Sequence, residues 1–187
     1  DYANRERPKD DPLKVGGHQA SSASVVSLMT ALYFGDLRAE DRVSVKPHAS
    51  PVFHAIQYLL GNLDRSYLTR LRAAGGLQSY PSRTKDPDVV DFSTGSVGLG
   101  AAAPLFAALT RKYVDDHFGA RDASRFVALL GDAELDEGNI WEAIVDQAPL
   151  DVLGLAEVGL DPPAQLHQPH HLRIGQRRPV PPGRSRA

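Results

Sequence analysis

The stretch SRFVALLGDAELDEGNIWEA, residues 124–143, decides the fold. Arg125 to Leu130 is a short apolar run of the kind found in buried parallel strands. It stops at Gly131, and acidic residues follow before a helix containing Trp141 and Ala143. A carboxylate just past the carboxyl end of a parallel strand sits in the crevice where open α/β sheets bind ligands. Asp132 there suits a hard cation such as magnesium, which takes oxygen donors. The amides of Ala133 and Glu134, in a turn that leads into a helix, can face a phosphate. The plainer alternative is that Asp132, Asp136 and Glu137 only cap the helix and favour its positive end.

Upstream of that strand, GSVGLG places glycines at 95, 98 and 100 before AAAPLFAALTRKYVDDHFG, which predicts a helix from about Ala101 to His117. The spacing is not the dinucleotide order G-x-G-x-x-G, so a tight turn is the direct reading. Leu77 to Ser93 holds Pro81, Pro87 and several charges and reads as a long surface loop, a class that is often functional. Asp64 can cap a helix through Leu71, with Gly75 and Gly76 behind it. Pro51 suits a first helical turn, and Phe53, Ile56, Tyr58, Leu59 and Leu60 carry that helix to Gly61. Val43 and Val45 alternate with polar neighbours as a short strand. Ala23 to Tyr33 fits a helix ended by Gly35 as a left-handed cap. Residues 1–15 are a polar lead-in. Helices alternating with strands in this way predict an α/β domain over residues 16–146, part of a doubly wound, mostly parallel sheet flanked by helices.

The last 41 residues, 147–187, differ: they hold seven of the 14 prolines and five arginines, with no lysine and no aromatic residue. Such a tail is expected to be disordered. The chain begins at Asp1 rather than methionine and is expected to be a piece of something longer. A formal charge of −2 gives no reason to expect nucleic acid as partner. No apolar run approaches the roughly 20 residues of a bilayer span. The lack of cysteine excludes thiolate chemistry and fits a cytoplasmic location.

Two histidines follow element boundaries, His18 in GGHQAS and His48 in KPHASP, where a proton shuttle or a phosphate neighbour is useful; taken alone, each reads first as a surface or satisfied loop histidine. His54 and His117 sit within helices and are assigned no role, and Arg83 and Lys85 read as solvated.

Taken in order, GGHQAS, KPHASPVFHAIQYLLG, GLQSYPS, GSVGLG and GDAELDEGNIWEA resemble the thiamine-diphosphate domain of the transketolase superfamily, most closely the decarboxylating component of homodimeric pyruvate dehydrogenase. The resemblance implies catalytic roles for His18, His48 and Glu137, the last near a subunit interface. It implies a cofactor wall of His48, Tyr80, Val97, Gly98, Leu99, Gly131, Ala133 and Glu134, with Asp132 on magnesium. Relatives carry glycine where this chain has Ala133, which is tolerable only at a negative backbone angle. They also complete the metal site with an asparagine about thirty residues after the aspartate. Here that count lands on Asp161, Pro162 and Pro163, and no asparagine follows Asn139.

The expected chain is therefore the front fragment of a thiamine-diphosphate enzyme acting on a 2-oxo acid. Its familiar text stops near Asp146, as a frameshift would leave it, and it is inactive alone without a second, pyrimidine-binding domain. The alternatives are a transketolase-like split subunit acting on sugar phosphates with a partner chain, or a non-catalytic assembly module.

Overall fold

In the computed structural model, residues 1–145 are described apart from 11, 13, 16–18 and 121–123. His18 and the whole of 147–187 lie outside the described residues, so the expectations for both stand as they were. The chain opens with one helical turn, α1 (Tyr2–Arg5), and then α2 (Gln19–Ala31) runs into a π-helical turn, Leu32–Asp36. Strand β1 (Arg42–Ser44) leads through a 3-10 turn, Pro47–Ala49, into α3 (Ser50–Leu59). A second 3-10 turn (Arg65–Tyr67) and a long loop precede α4 (Leu99–Phe118). Strand β2 (Phe126–Ala128), a 3-10 turn (Asp132–Asp136) and α5 (Gly138–Val145) complete the order.

β1 and β2 pair in parallel, Arg42 with Phe126, Val43 with Val127 and Ser44 with Ala128. Side chains alternate across a strand, so Val43 and Val45 share one face and Ser44 takes the other. On the valine side they join Met29 of α2, Phe53 and Ile56 of α3, Val90 and Leu129 in the core. On the other side Ser44 lies under Gly100, at the start of α4. Helices thus cover both faces of a small parallel sheet, the α/β layering that alternating elements predict. Two parallel strands put their carboxyl ends on the same side, which is what places the site.

Several local expectations are corrected. Gly35 lies inside the π-helical turn and is not left-handed, so it caps nothing. Asp64 does cap, accepting from the Ser66 amide at 2.8 Å, but only a single turn forms. Beyond it Arg72 is left-handed (φ 56°), Leu71 pairs with Leu77, and Leu71 O accepts from Arg7 Nη1 at 2.6 Å, so those backbone groups are used outside any helix. The polar lead-in is therefore tied down, with Ala3 buried and Arg72 donating to Val15 O. β2 is half-buried rather than buried, with Ala128 exposed. Helix α4 starts at Leu99, two residues early, which puts Pro104 in its second turn. Phe106, Tyr113, Trp141 and Val145 on α4 and α5 stand exposed. No helix among the described residues is long and apolar enough to cross a membrane.

Candidate functional site

The two strand ends meet at Gly131. A β-carbon built there would lie 3.0 Å from Lys46 Cε and 3.4 Å from Nζ, so glycine lets the lysine stem lie against the backbone. Glu134 turns back into this junction: its Oε2 accepts from the Gly131 amide at 2.8 Å, and the residue is 3% exposed. Burial pushes the Glu134 carboxyl above its ordinary range, with the nearby charge of Glu137 adding to this; the Gly131 amide and the Lys46 charge oppose the rise. Glu134 Oε1 and Ser44 Oγ are buried without a hydrogen-bond partner among the described residues. Both flank Gly100, at 3.7 and 3.4 Å from where its β-carbon would be.

Asp132 and Ala133 begin the 3-10 turn and are exposed at the strand end. Ala133 is not among the residues with positive φ, so its methyl fits where relatives carry glycine. No group of three histidine or carboxylate side chains able to hold a metal occurs among the described residues. Asp132 is thus a single carboxylate donor, and a magnesium ion there needs oxygens from elsewhere. The Glu137 amide donates to Glu134 O at 3.1 Å, and Glu137 itself is half-buried on the α5 side of the turn.

The glycine turn is as tight as its sequence requires. Gly98 takes φ 82° as the cap of α4, and Asn139 Nδ2 donates to Val97 O at 2.8 Å across the turn. Val97 and Leu99 are about half exposed on either side of buried Gly98.

His48 and Tyr80 come together. The Tyr80 hydroxyl lies 3.3 Å from His48 Nε2 and 3.3 Å from Ser96 Oγ, and the two rings meet edge to face with centroids 5.6 Å apart. One phenol therefore links the turn after β1, the long loop and the glycine turn.

What holds Tyr80 was missed by sequence reasoning. The carboxylates in KDPDVVD, which the sequence reading left without a role, are anchors. Asp86 accepts from the Gln78 and Ser82 amides at 2.7 Å each, closing the loop around Tyr80. Asp91 accepts from the Val43 amide at 2.9 Å and lies 3.8 Å from Arg42 Nε. Asp88 Oδ2 lies 2.6 Å from His54 Nδ1, with both side chains buried. Pro81 and Val90 are buried too, so this loop is seated on the domain rather than spread on its surface. The one available signal was the pairing of a helical histidine with a loop rich in aspartate.

No protein-family model matches the chain. Human transketolase is 31% identical to it over 179 residues, covering 87% of this chain and 27% of that protein. The pyruvate dehydrogenase E1 component of Escherichia coli K12 is 33% identical over 142 residues, covering 70% of this chain and 16% of that protein. The corresponding component of Cupriavidus necator is 36% identical over 140 residues. The chain therefore spans a quarter or less of the length of these relatives, bar the slightly larger share of transketolase. The share aligned with human transketolase is too large to stop at Asp146, so that likeness reaches beyond it. By homology over most of its own length, the chain belongs with the transketolases and the pyruvate dehydrogenase E1 components.

Proposed function

We propose that residues 16–146 form one wall of a thiamine-diphosphate site in an enzyme of this family, completed by protein not present in this chain. The observation that carries the reading is the meeting of two parallel strand ends, Lys46–His48 and Gly131–Glu134, beside the glycine turn at 95–100. Open α/β sheets bind ligands at such a crevice. In this reading Asp132 supplies one magnesium ligand, and the turn amides of Ala133 and Glu134 face the diphosphate. Val97, Gly98 and Leu99 back the organic ring, and His48, supported by Tyr80, holds or moves a proton near the substrate. His18 and Glu137 keep the roles that family resemblance gives them. When bound, the cofactor stores the electron pair of a broken carbon–carbon bond. The magnesium donors among the described residues do not complete a shell, and the remaining oxygens would come from elsewhere.

The assembled enzyme acts on a 2-oxo acid in this reading, supported by the 36% identity to the pyruvate dehydrogenase component of Cupriavidus necator. Transfer between sugar phosphates is the second reading, favoured by the longer alignment with transketolase. A cytoplasmic location and a homodimeric parent enzyme belong to the same proposal.

Calorimetric titration of the 187-residue chain with thiamine diphosphate and magnesium tests it. Weak saturable binding is expected, and Asp132→Ala is expected to weaken it at least ~10-fold, since even the supporting partners of a metal ligand contribute that much. Binding indifferent to Asp132→Ala sinks the reading. The chain alone is expected to give no decarboxylation of pyruvate above the buffer rate; full turnover refutes the claim that its site is partial.

A further inference from the structure

Helix α3 presents a polar stripe to the long loop. Ser50 and His54 are one helical turn apart and so share a face. Ser50 Oγ donates to Ser79 O at 2.8 Å, next to Tyr80, and His54 meets Asp88 nine residues further along the loop. Two anchors on one rigid element thus hold both shoulders of the segment that bears Tyr80. The same helix grows directly out of the Pro47–Ala49 turn, which bears His48. One element therefore fixes both partners of the His48–Tyr80 contact.

Packing alone does not explain the pair. His54 side chain is 2% exposed and Asp88 0%, and each keeps one buried atom, Nε2 and Oδ1, without a hydrogen-bond partner among the described residues. A leucine in such a place fills space without orphaned polar atoms, and apolar replacement of buried polar pairs is often neutral or stabilising. What the pair adds is direction: a 2.6 Å hydrogen bond from a ring already set by its edge-to-face contact with Phe53. We propose that His54 and Asp88 are positioning residues, whose hydrogen bond seats the loop 77–93 on α3 so that Tyr80 meets His48. The consequence for cofactor affinity rests on the functional reading above; the placement itself does not.

The test uses the full 187-residue chain and two readouts. The first is ring-to-ring cross-relaxation between Tyr80 and His48 by NMR, without cofactor, assigned with Tyr80→Phe. His54→Leu is expected to abolish this contact while amide dispersion persists. His54→Asn, which keeps a donor near the Nδ1 position, is expected to retain it. Asp88→Asn serves as a second, gentler disruption and is expected to weaken the contact. A folded His54→Leu chain that keeps the Tyr80–His48 contact overturns the proposal. So does loss of the whole fold in both His54→Leu and Asp88→Asn, because the pair then holds the domain and not the loop. The second readout is calorimetric binding of thiamine diphosphate with magnesium. His54→Leu is expected to lose about tenfold in affinity, with His54→Asn restoring it. If the parent chain fails to bind, the functional reading falls and the NMR contact still decides the placement.

Discussion

Replacing Gly98 by alanine is expected to lower the unfolding free energy by about 2–4 kcal/mol, measured by urea titration. Two causes add. The residue sits at φ 82° in the left-handed region, where a β-carbon clashes with its own backbone. A side chain at 98 also collides with the Asn139 carboxamide, which is held in place by its hydrogen bond to Val97 O. Gly61 separates the causes, because it has φ 78° with open space around its missing side chain. Gly61→Ala is therefore expected to cost only the backbone part, about 1–2 kcal/mol. In an Asn139→Ala background Gly98→Ala is expected to approach that smaller value, the signature of a direct contact in a double-mutant cycle. Equal losses at 98 and 61 in the parent chain count against the packing described for the glycine turn.

Why that turn was legible while the loop beside it was not is a matter of what each residue type records. Three glycines before an apolar run specify unusual backbone angles, and Gly98 adopts one. FVALL and Val43–Val45 carried the strands because both are rich in apolar and β-branched residues, although of those apolar side chains only Val43, Val45 and Leu129 are fully buried. Asp86, Asp88 and Asp91 have no such signature. An aspartate in water and an aspartate accepting backbone amides look alike in a polar, aperiodic stretch, and only the fold brings Val43 or His54 within reach. The helix drawn from Asp64 to Leu71 failed for a related reason. Its cap is real, but the Leu68 and Arg70 amides bond three residues back, to the Arg65 and Tyr67 carbonyls, and the Arg70 carbonyl takes the Leu77 amide, so turns form where an α-helix was drawn. Of the candidate site, Gly98, Gly131, Ala133, Glu134 and the His48–Tyr80 contact are now placed in the fold, and His18 lies outside the described residues. Lys46 and Ser96, which sequence reading passed over, touch the same junctions.

Replacing Asp41 by alanine is expected to cost about 3 kcal/mol and to flatten the acid limb of the stability curve. Asp41 is fully buried where the two strands begin. Its carboxylate accepts from the Arg125 amide at 2.8 Å, the Arg38 amide at 3.0 Å, and Arg125 Nε and Nη2 at 3.1 and 2.7 Å. Arg125 is 43% exposed, so the charge part is screened by water, and most of the loss comes from two backbone amides left without an acceptor. Burial acts to raise the Asp41 carboxyl, but the Arg125 hydrogen bonds, the two amides and the Arg125 charge outweigh it and hold the group below its ordinary value. A carboxyl more acidic in the folded chain stabilises the fold above its unfolded pKa of about 3.9, and that stability is lost as pH falls through the folded value. Glu134 runs the other way: its raised carboxyl stabilises the fold at low pH, and that contribution fades as pH rises through the folded value. The two slopes have opposite signs and occupy different windows, below and above roughly pH 4. Unfolding free energies of the parent, Asp41→Asn and Glu134→Gln chains between about pH 2 and 7 separate them. Asp41→Asn is expected to reduce the loss below pH 4, leaving the smaller share of exposed Asp64, and to keep the upper slope, whereas Glu134→Gln removes the upper slope alone. An Asp41→Asn chain that still loses stability as steeply as the parent below pH 4 would show that the strand-start carboxylate is not the group that acid disarms.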